Sequence, residues 1–462
     1  MFRLSLITLL ILATHANAVE TSPRSTLMSV YSQVVEHNSE IAAAQEDYFA
    51  RREAVPQARA DLLPQIDLQA LNGSTRTNLH DVDTRNGSLY RVTLNQPLFD
   101  AAHWFNLKSA HSLSEQAQLD FSTVQQELVL KTAQTYFDTL LAEDTLAATK
   151  AELRAFERQL NQTRQRYDAG LSDQNDVLSA QASFDRSHAS VINAQRLTDD
   201  AYQALNRLTG QPQAPLIGIR HTLPVEPPVP NEAQSWVDQA LTQNLRLRAS
   251  QVRTQAAQEN LRSQKAEHLP TLGLQLGYAE GDADVMDNPP AFGHRGGNEK
   301  QSSVLLNFKL PLYSGGRTSS RVREAYHRFD ESEYDQTSLQ REVVEASRNA
   351  FRSVNSEREQ VRALRQTIIS SQGALHATEV GYEVGNRNIV DILSAQRDLY
   401  NAVREYNLAR YSYILSGLRL KLAAGTLSPA DLQSLAQYLK PDYDPDKDFL
   451  PADLTQQGVK TL

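Results

Sequence analysis

The chain has 462 residues, with 46 basic against 55 acidic side chains for a formal net charge of −9, and it contains no cysteine. That balance argues against nucleic acid as a partner, and the missing cysteine excludes both a disulfide framework and a lipid on an N-terminal cysteine. Beyond the N-terminus no stretch approaches the roughly 18 apolar residues of a spanning helix, so a mature chain that crosses a membrane must do so as strands of a closed barrel.

At the N-terminus, Arg3 precedes an apolar run from Leu4 to Ala13, and Ala16-x-Ala18 follows. A short apolar core with small residues beyond it reads as a cleaved export signal over residues 1–18, with the mature chain starting near Val19.

The rest reads as two copies of one unit. The first, residues 19–210, opens with a helical segment from about Ser25 to Asp61 and continues into a β-hairpin over 62–99. Its returning strand alternates, with Tyr90, Val92 and Leu94 opposing Arg91, Thr93 and Asn95. From Ala101 to about Ala169 there is then neither proline nor glycine, and Leu153, Phe156, Leu160 and Tyr167 keep coiled-coil spacing. Such a helix runs roughly 100 Å. A turn near 170 leads into a return helix of half that length.

A proline-rich linker, residues 211–230, joins the second copy, residues 231–426. Its opening helix spans about Glu232 to His268, and its hairpin covers 269–313. Leu272, Leu274, Leu276 and Tyr278 share one strand face; Val304, Leu306, Phe308 and Leu310 share another. The extra residues of this hairpin fall in a loop among Gly281, Asp282, Pro289, Pro290, Gly296 and Gly297. A second long helix carries Val361, Leu364, Ile368 and Leu375 at the same spacing and turns near 385. The tail, residues 427–462, holds Pro441, Pro445 and Pro451; linker and tail are expected to belt the middle of the rods.

The turns carry the repeat most clearly. Tyr167 and Gly170 lead to Asp176, Leu178, Ser179, Ala180 and Gln181; Tyr382 and Gly385 lead to Asp391, Leu393, Ser394, Ala395 and Gln396, each pair 215 positions apart. The glycines suit helix ends that need positive φ, with Ser172 or Asp173 and Asn386 or Asn388 as caps of the following helices.

One chain therefore offers two hairpins. Four strands cannot enclose a lumen and would leave open edges in lipid. A barrel has to be pooled between copies, from two chains or from three; strand counting leaves both open.

With its export signal, tandem helix–hairpin–long-helix units, twin Tyr-x-x-Gly and Asp-x-Leu-x-Ala-Gln turns, and Gln96-Pro97-Leu98-Phe99 and Leu310-Pro311-Leu312-Tyr313 at the strand ends, the mature chain resembles the TolC family of outer-membrane exit ducts. The resemblance implies a mostly α fold with a small antiparallel β part. It implies a homotrimer, whose twelve-stranded barrel in outer-membrane lipid continues as a long periplasmic α-helical barrel. It also implies a periplasmic adaptor, or membrane fusion protein, and an inner-membrane ABC or proton-driven transporter as partners, and no cofactor. Export of proteins by type I secretion is slightly favoured over efflux of small molecules, because the cysteine-free chain cannot take the lipid-anchored form common among efflux ducts.

Carried over residue by residue, the resemblance makes Gly170, Leu171 and Gly385 adaptor-facing tips, and Asp391, Tyr382, Arg387 and Asp176 an aperture. Three copies of Asp391 would form a ring of carboxylates that favours cations. Ser394 stands where the family has a second aspartate, which weakens the case for a doubled ring. Arg387 and Asp176 would latch neighbouring hairpins by a charge-assisted bond.

No catalytic constellation is present: the eleven histidines are scattered, and Gly293-His294-Arg295-Gly296-Gly297 has loop composition. The rival readings, a periplasmic coiled-coil adaptor or a structural envelope protein, account for the rods but not for two amphipathic hairpins.

Overall fold

The structure is a computed structural model and describes residues 24–77, 83–282 and 298–457. The export signal and the loop around Gly293-His294-Arg295 lie outside the described residues. Ahead of the first hairpin come α1 (Leu27–His37), α2 (Ser39–Arg52) and α3 (Ala54–Ala60); β1 (Gln65–Thr77) and β2 (Asp83–Phe99) follow. The rod α4 (Ala101–Asp168) and return helix α5 (Gln174–Thr209) complete the first unit. The second runs α6 (Ala233–Gln243), α7 (Leu245–Ala266), β3 (Thr271–Asp282), β4 (Asn298–Lys309), α8 (Arg317–Glu383) and α9 (Ile389–Ala423). The tail adds α10 (Pro429–Ala436), α11 (Pro445–Asp448) and α12 (Ala452–Gln457).

The opening helices differ from the single segments expected of them. Both are broken at an asparagine, Asn38 in one copy and Asn244 in the other, 206 positions apart. Asn38 Oδ1 accepts from the Glu40 and Ile41 amides, capping α2, while its Nδ2 donates to the carbonyl of Leu208 near the end of α5 at 3.1 Å. Asn244 likewise caps α7 through the Leu247 amide and donates to Ala423 at the end of α9 at 3.0 Å. Each asparagine thus satisfies orphan donors of one helix and an orphan acceptor of another. The half-length helices are spliced end to end into rods that match α4 and α8. Gly210 and Gly425, both at positive φ, let the chain leave at the splice; a Cβ on Gly425 would sit 2.4 Å from the Gln243 carbonyl oxygen.

The two hairpins pair with each other, giving one antiparallel sheet in the order β1-β2-β3-β4. Ile66 pairs with Leu94, Leu94 with Leu276 and Leu276 with Val304, so the register lines up one apolar face across all four strands. That face is bare: Leu68, Val304 and Phe308 are 72%, 74% and 64% exposed. The opposite face carries Asp67, Arg91, Asn95, Gln275 and Lys309. Pro97 falls at a bulge in β2, beyond the paired stretch of β1, where its missing N–H leaves no gap in that ladder. Among the described residues, nothing pairs with the outer edges of β1 and β4. No described helix is long and apolar enough to cross a membrane.

The largest core sits midway along the rods. Leu128, Tyr136, Phe137 and Leu140 of α4 pack with α1, with the end of α5, and with Ile414 and Leu418 of α9. Leu216 and Ile219 of the linker and Leu432 and Leu439 of the tail close it.

Candidate functional site

The two helical turns lie at the ends of the rods farthest, along the chain, from the sheet. α4 ends in a Schellman-type turn: Gly170 takes φ +73°, its amide reaches the Tyr167 carbonyl, and the Leu171 amide reaches back to Arg166 at 2.8 Å. Asp173 caps α5 through the Asn175 amide. α8 ends the same way, with Gly385 at φ +80° and the Asn386 and Arg387 amides both donating to the Gly381 carbonyl. Asn388 caps α9. Leu171 and Val384 are 68% and 66% exposed, so each turn presents an apolar residue to its surroundings.

Asp391 has a local role. Its amide donates to Asn388 Oδ1 at 2.9 Å while its carboxylate accepts from the Asn388 amide at 3.2 Å, a reciprocal capping box. The aspartate is therefore held rigidly at the N-terminus of α9, where the helix dipole also favours its negative charge. Asp176, its counterpart, accepts from Ser172 Oγ at 2.6 Å instead. Within one chain, no ion pair joins Arg387 to Asp176 among the described residues. The Arg387 side chain lies back across Gly381, where an added Cβ would come 2.8 Å from its Cγ.

Tyr382 faces a partner that sequence reasoning missed. The guanidinium of Arg166, at the end of α4, lies 4.9 Å from the centre of the Tyr382 ring. Its Nε is buried without a hydrogen-bond acceptor, so the ring face is its chief partner. Tyr382 also packs against Phe156, Ile389, Ile392 and Leu393. The only sequence signal for Arg166 is its place one residue before the Tyr167 of the repeat. Nearby, burial pushes the Glu379 carboxyl above its usual range.

The copies differ most in exposure. Leu178 is 58% exposed, whereas Leu393, the same residue of the same motif, is 3% exposed. Helix α9 packs against both α4 and α8, while α5 packs chiefly against α4 alone.

The family model described as "Outer membrane efflux protein" matches residues 30–211 and 236–426. This chain belongs to the TolC family of outer-membrane efflux proteins. It is 35% identical to the outer membrane protein TolC of Vibrio cholerae serotype O1, over 90% of this chain and 94% of that one. TolC of Escherichia coli K12 is 33% identical, with 90% and 85% covered. The alkaline protease secretion protein AprF of Pseudomonas aeruginosa is 28% identical, with 89% and 86% covered. Among solved structures, CusC superposes with a TM-score of 0.77 at 17% identity, covering 86% of this chain and 92% of that one. As a TolC-family member the protein resides in the outer membrane. Its bare apolar sheet face is suited to lipid and its polar face to a wet lumen.

Proposed function

We propose that three copies of this chain close into a duct through which an inner-membrane transporter, coupled by a periplasmic adaptor, exports cargo across the outer membrane. The observation that carries this reading is the opposite burial of Leu178 and Leu393. Identical motifs in equivalent turns differ because α9 has a rod on either side and α5 lacks one. In a ring, the α8 of a neighbouring copy fills that place and covers Leu178. The open edges of β1 and β4 support the same closure, since β4 of one copy pairing with β1 of the next turns three four-stranded sheets into one twelve-stranded barrel.

The aperture sits at the turns, where three Asp391 carboxylates form a cation-favouring ring and Arg387 reaches Asp176 of the neighbouring copy. Gly170, Leu171 and Gly385 face the adaptor. Type I protein secretion is favoured over small-molecule efflux, supported by the greater likeness to AprF than to the relatives named for metal resistance or efflux.

Native mass spectrometry in detergent, with planar-bilayer recording on the same sample, tests the duct. Three-chain particles with stepwise conductance are expected; a single-chain particle without conductance sinks it. For cargo, deletion of the gene in its host is expected to deplete proteins from the culture medium. Unchanged medium with heightened sensitivity to small toxic compounds would overturn the secretion reading.

A further inference from the structure

The internal repeat offers a way to compare contacts inside one chain with those expected between chains. Residues of α4 map onto α8, and residues of α9 onto α5, by the same 215-position shift seen at the turns. A contact between α4 and α9 within a chain therefore has a counterpart between α8 and the α5 of a neighbouring copy.

Beside the apolar cluster around Phe156, two polar contacts fasten the first unit to the second, one at the turns and one roughly 27 Å back along the helices. Arg166 of α4 stacks on Tyr382 of α8, and Glu152 of α4 accepts a hydrogen bond from Arg404 of α9 at 2.7 Å. The Glu152 side chain is 9% exposed and that of Arg404 24%, so this ion pair is partly shielded from water and is screened less than a fully exposed one. Arg404 also donates to Asn401 at 2.5 Å, which fixes its fork.

Neither contact is repeated. The counterparts of Arg166 and Tyr382 are Gly381 and Tyr167; those of Glu152 and Arg404 are Thr367 and Ala189. No charge remains at any of these four positions, and Tyr167 is 45% exposed where Tyr382 lies beneath a guanidinium. Gly381 has given up its side chain to the fold of Arg387 across it.

We propose that Arg166 and the Glu152–Arg404 pair form a two-point clasp confined to the seam within each chain, and that Arg166 acts as a positioning residue which holds Tyr382, and with it the second turn, in the closed arrangement. The inference rests on the reading of the turns as an aperture. It adds that the six seams of the ring alternate between those that carry this clasp and those fastened by the Arg387–Asp176 latch. Opening requires release of the clasped seam, since Tyr382 at the end of α8 is held there by Arg166 of α4.

The test uses the intact oligomer and reads amide hydrogen exchange at residues 384–391 beside single-channel recording. Arg166→Gln is expected to speed exchange at the second turn roughly tenfold, leave the first turn unchanged and raise the fraction of time spent open. Arg166→Lys, which keeps the cation, restores most of the protection. Transplanting the ion pair to the other seam with Thr367→Glu and Ala189→Arg is expected to lower the open fraction. Unchanged exchange at the second turn in Arg166→Gln overturns the clasp, whatever the conductance. Faster exchange that the lysine variant reverses, in an oligomer that shows no conductance, supports the clasp and instead sinks the channel reading.

Discussion

Asp144, wholly buried on α4, accepts hydrogen bonds from the hydroxyls of both Tyr411 on α9 and Tyr443 in the tail. Burial pushes its carboxyl above the usual range, and the two phenols supply the pairing that an interior carboxylate requires. Arg410 lies one step further along, donating to Tyr411 Oη at 3.3 Å, to the Ile219 carbonyl at 3.1 Å and to His221. Asp448 accepts from His221 through its carbonyl and from Lys440 through its carboxylate. One polar chain thus stitches α4, α9, the linker and the tail together.

Tyr443→Phe removes a hydrogen bond to an acidic group in the interior and is expected to lower stability by about 2 kcal/mol. Gly218→Ala attacks the same ring from the other side. A Cβ there would stand 2.4 Å from the Tyr443 ring, so the tyrosine must leave Asp144. Thermal unfolding of the purified protein should show a loss for Gly218→Ala at least as large as for Tyr443→Phe. A double variant no worse than Gly218→Ala alone would place both effects in one contact.

The buried polar groups midway along the rods also set a pH dependence, through two that pull in opposite directions. Burial raises the Glu143 carboxyl to about 7, despite the hydrogen bond from Tyr202 at 2.5 Å. The folded state therefore holds this proton longer than the unfolded chain does. The stabilisation is fully present below the ordinary carboxyl range and is lost as pH rises from about 4.5 to about 7. Burial and the neighbouring Arg410 depress His221 to about 3, so the unfolded chain binds this proton first. Its contribution is present above the ordinary histidine value of 6.5 and is lost as pH falls toward 3. Glu143→Gln, which keeps a neutral side chain at every pH, is expected to gain stability above pH 7, on the order of 3 kcal/mol at most. Unfolding curves at pH 5 and pH 8 check the sign; a larger gain at pH 5 would refute it.

Much of this architecture was legible in the sequence, because it rests on long periodic runs. The rods, the alternating strands and both glycine turns follow from period and from positive φ, which local sequence encodes. The breaks at Asn38 and Asn244 were not legible, since they depend on carbonyls 170 and 179 residues away. Arg166 was missed for the same reason: nothing local distinguishes it from a solvated arginine, and its partner lies in the other copy of the repeat. The buried polar chain joins residues as distant as Asp144 and Tyr443, and no spacing rule reaches that far.

Leu178 and Leu393 give the clearest separation of folding from assembly. Leu393→Ala is expected to cost about 2–5 kcal/mol in the folded chain, because it empties a core site against Phe156. Leu178→Asp leaves the single chain folded, as the side chain is already in water there, but places a charge where a neighbouring rod should pack. Native mass spectrometry should then find single chains in place of the oligomer. An oligomer that survives Leu178→Asp would show that α5 meets no neighbour at this point.

At the proposed aperture, capping and charge have to be told apart, since Asp391 serves α9 directly through its capping box. Asp391→Asn retains a side-chain oxygen that can accept from the Asn388 amide while removing the charge. The expected result in planar bilayers is lost preference for cations and lost block by divalent ions, with thermal stability within about 1 kcal/mol of the parent. Asp391→Ala loses both functions and should unfold earlier as well. Arg387→Ser separates the latch from the ring: it leaves the capping box intact and removes the guanidinium together with the Cγ that packs across Gly381, so a higher resting conductance with unchanged selectivity is expected. If Arg387→Ser stays in the low-conductance state while Asp391→Asn still alters selectivity, the ring stands and the contact that closes the turns lies elsewhere.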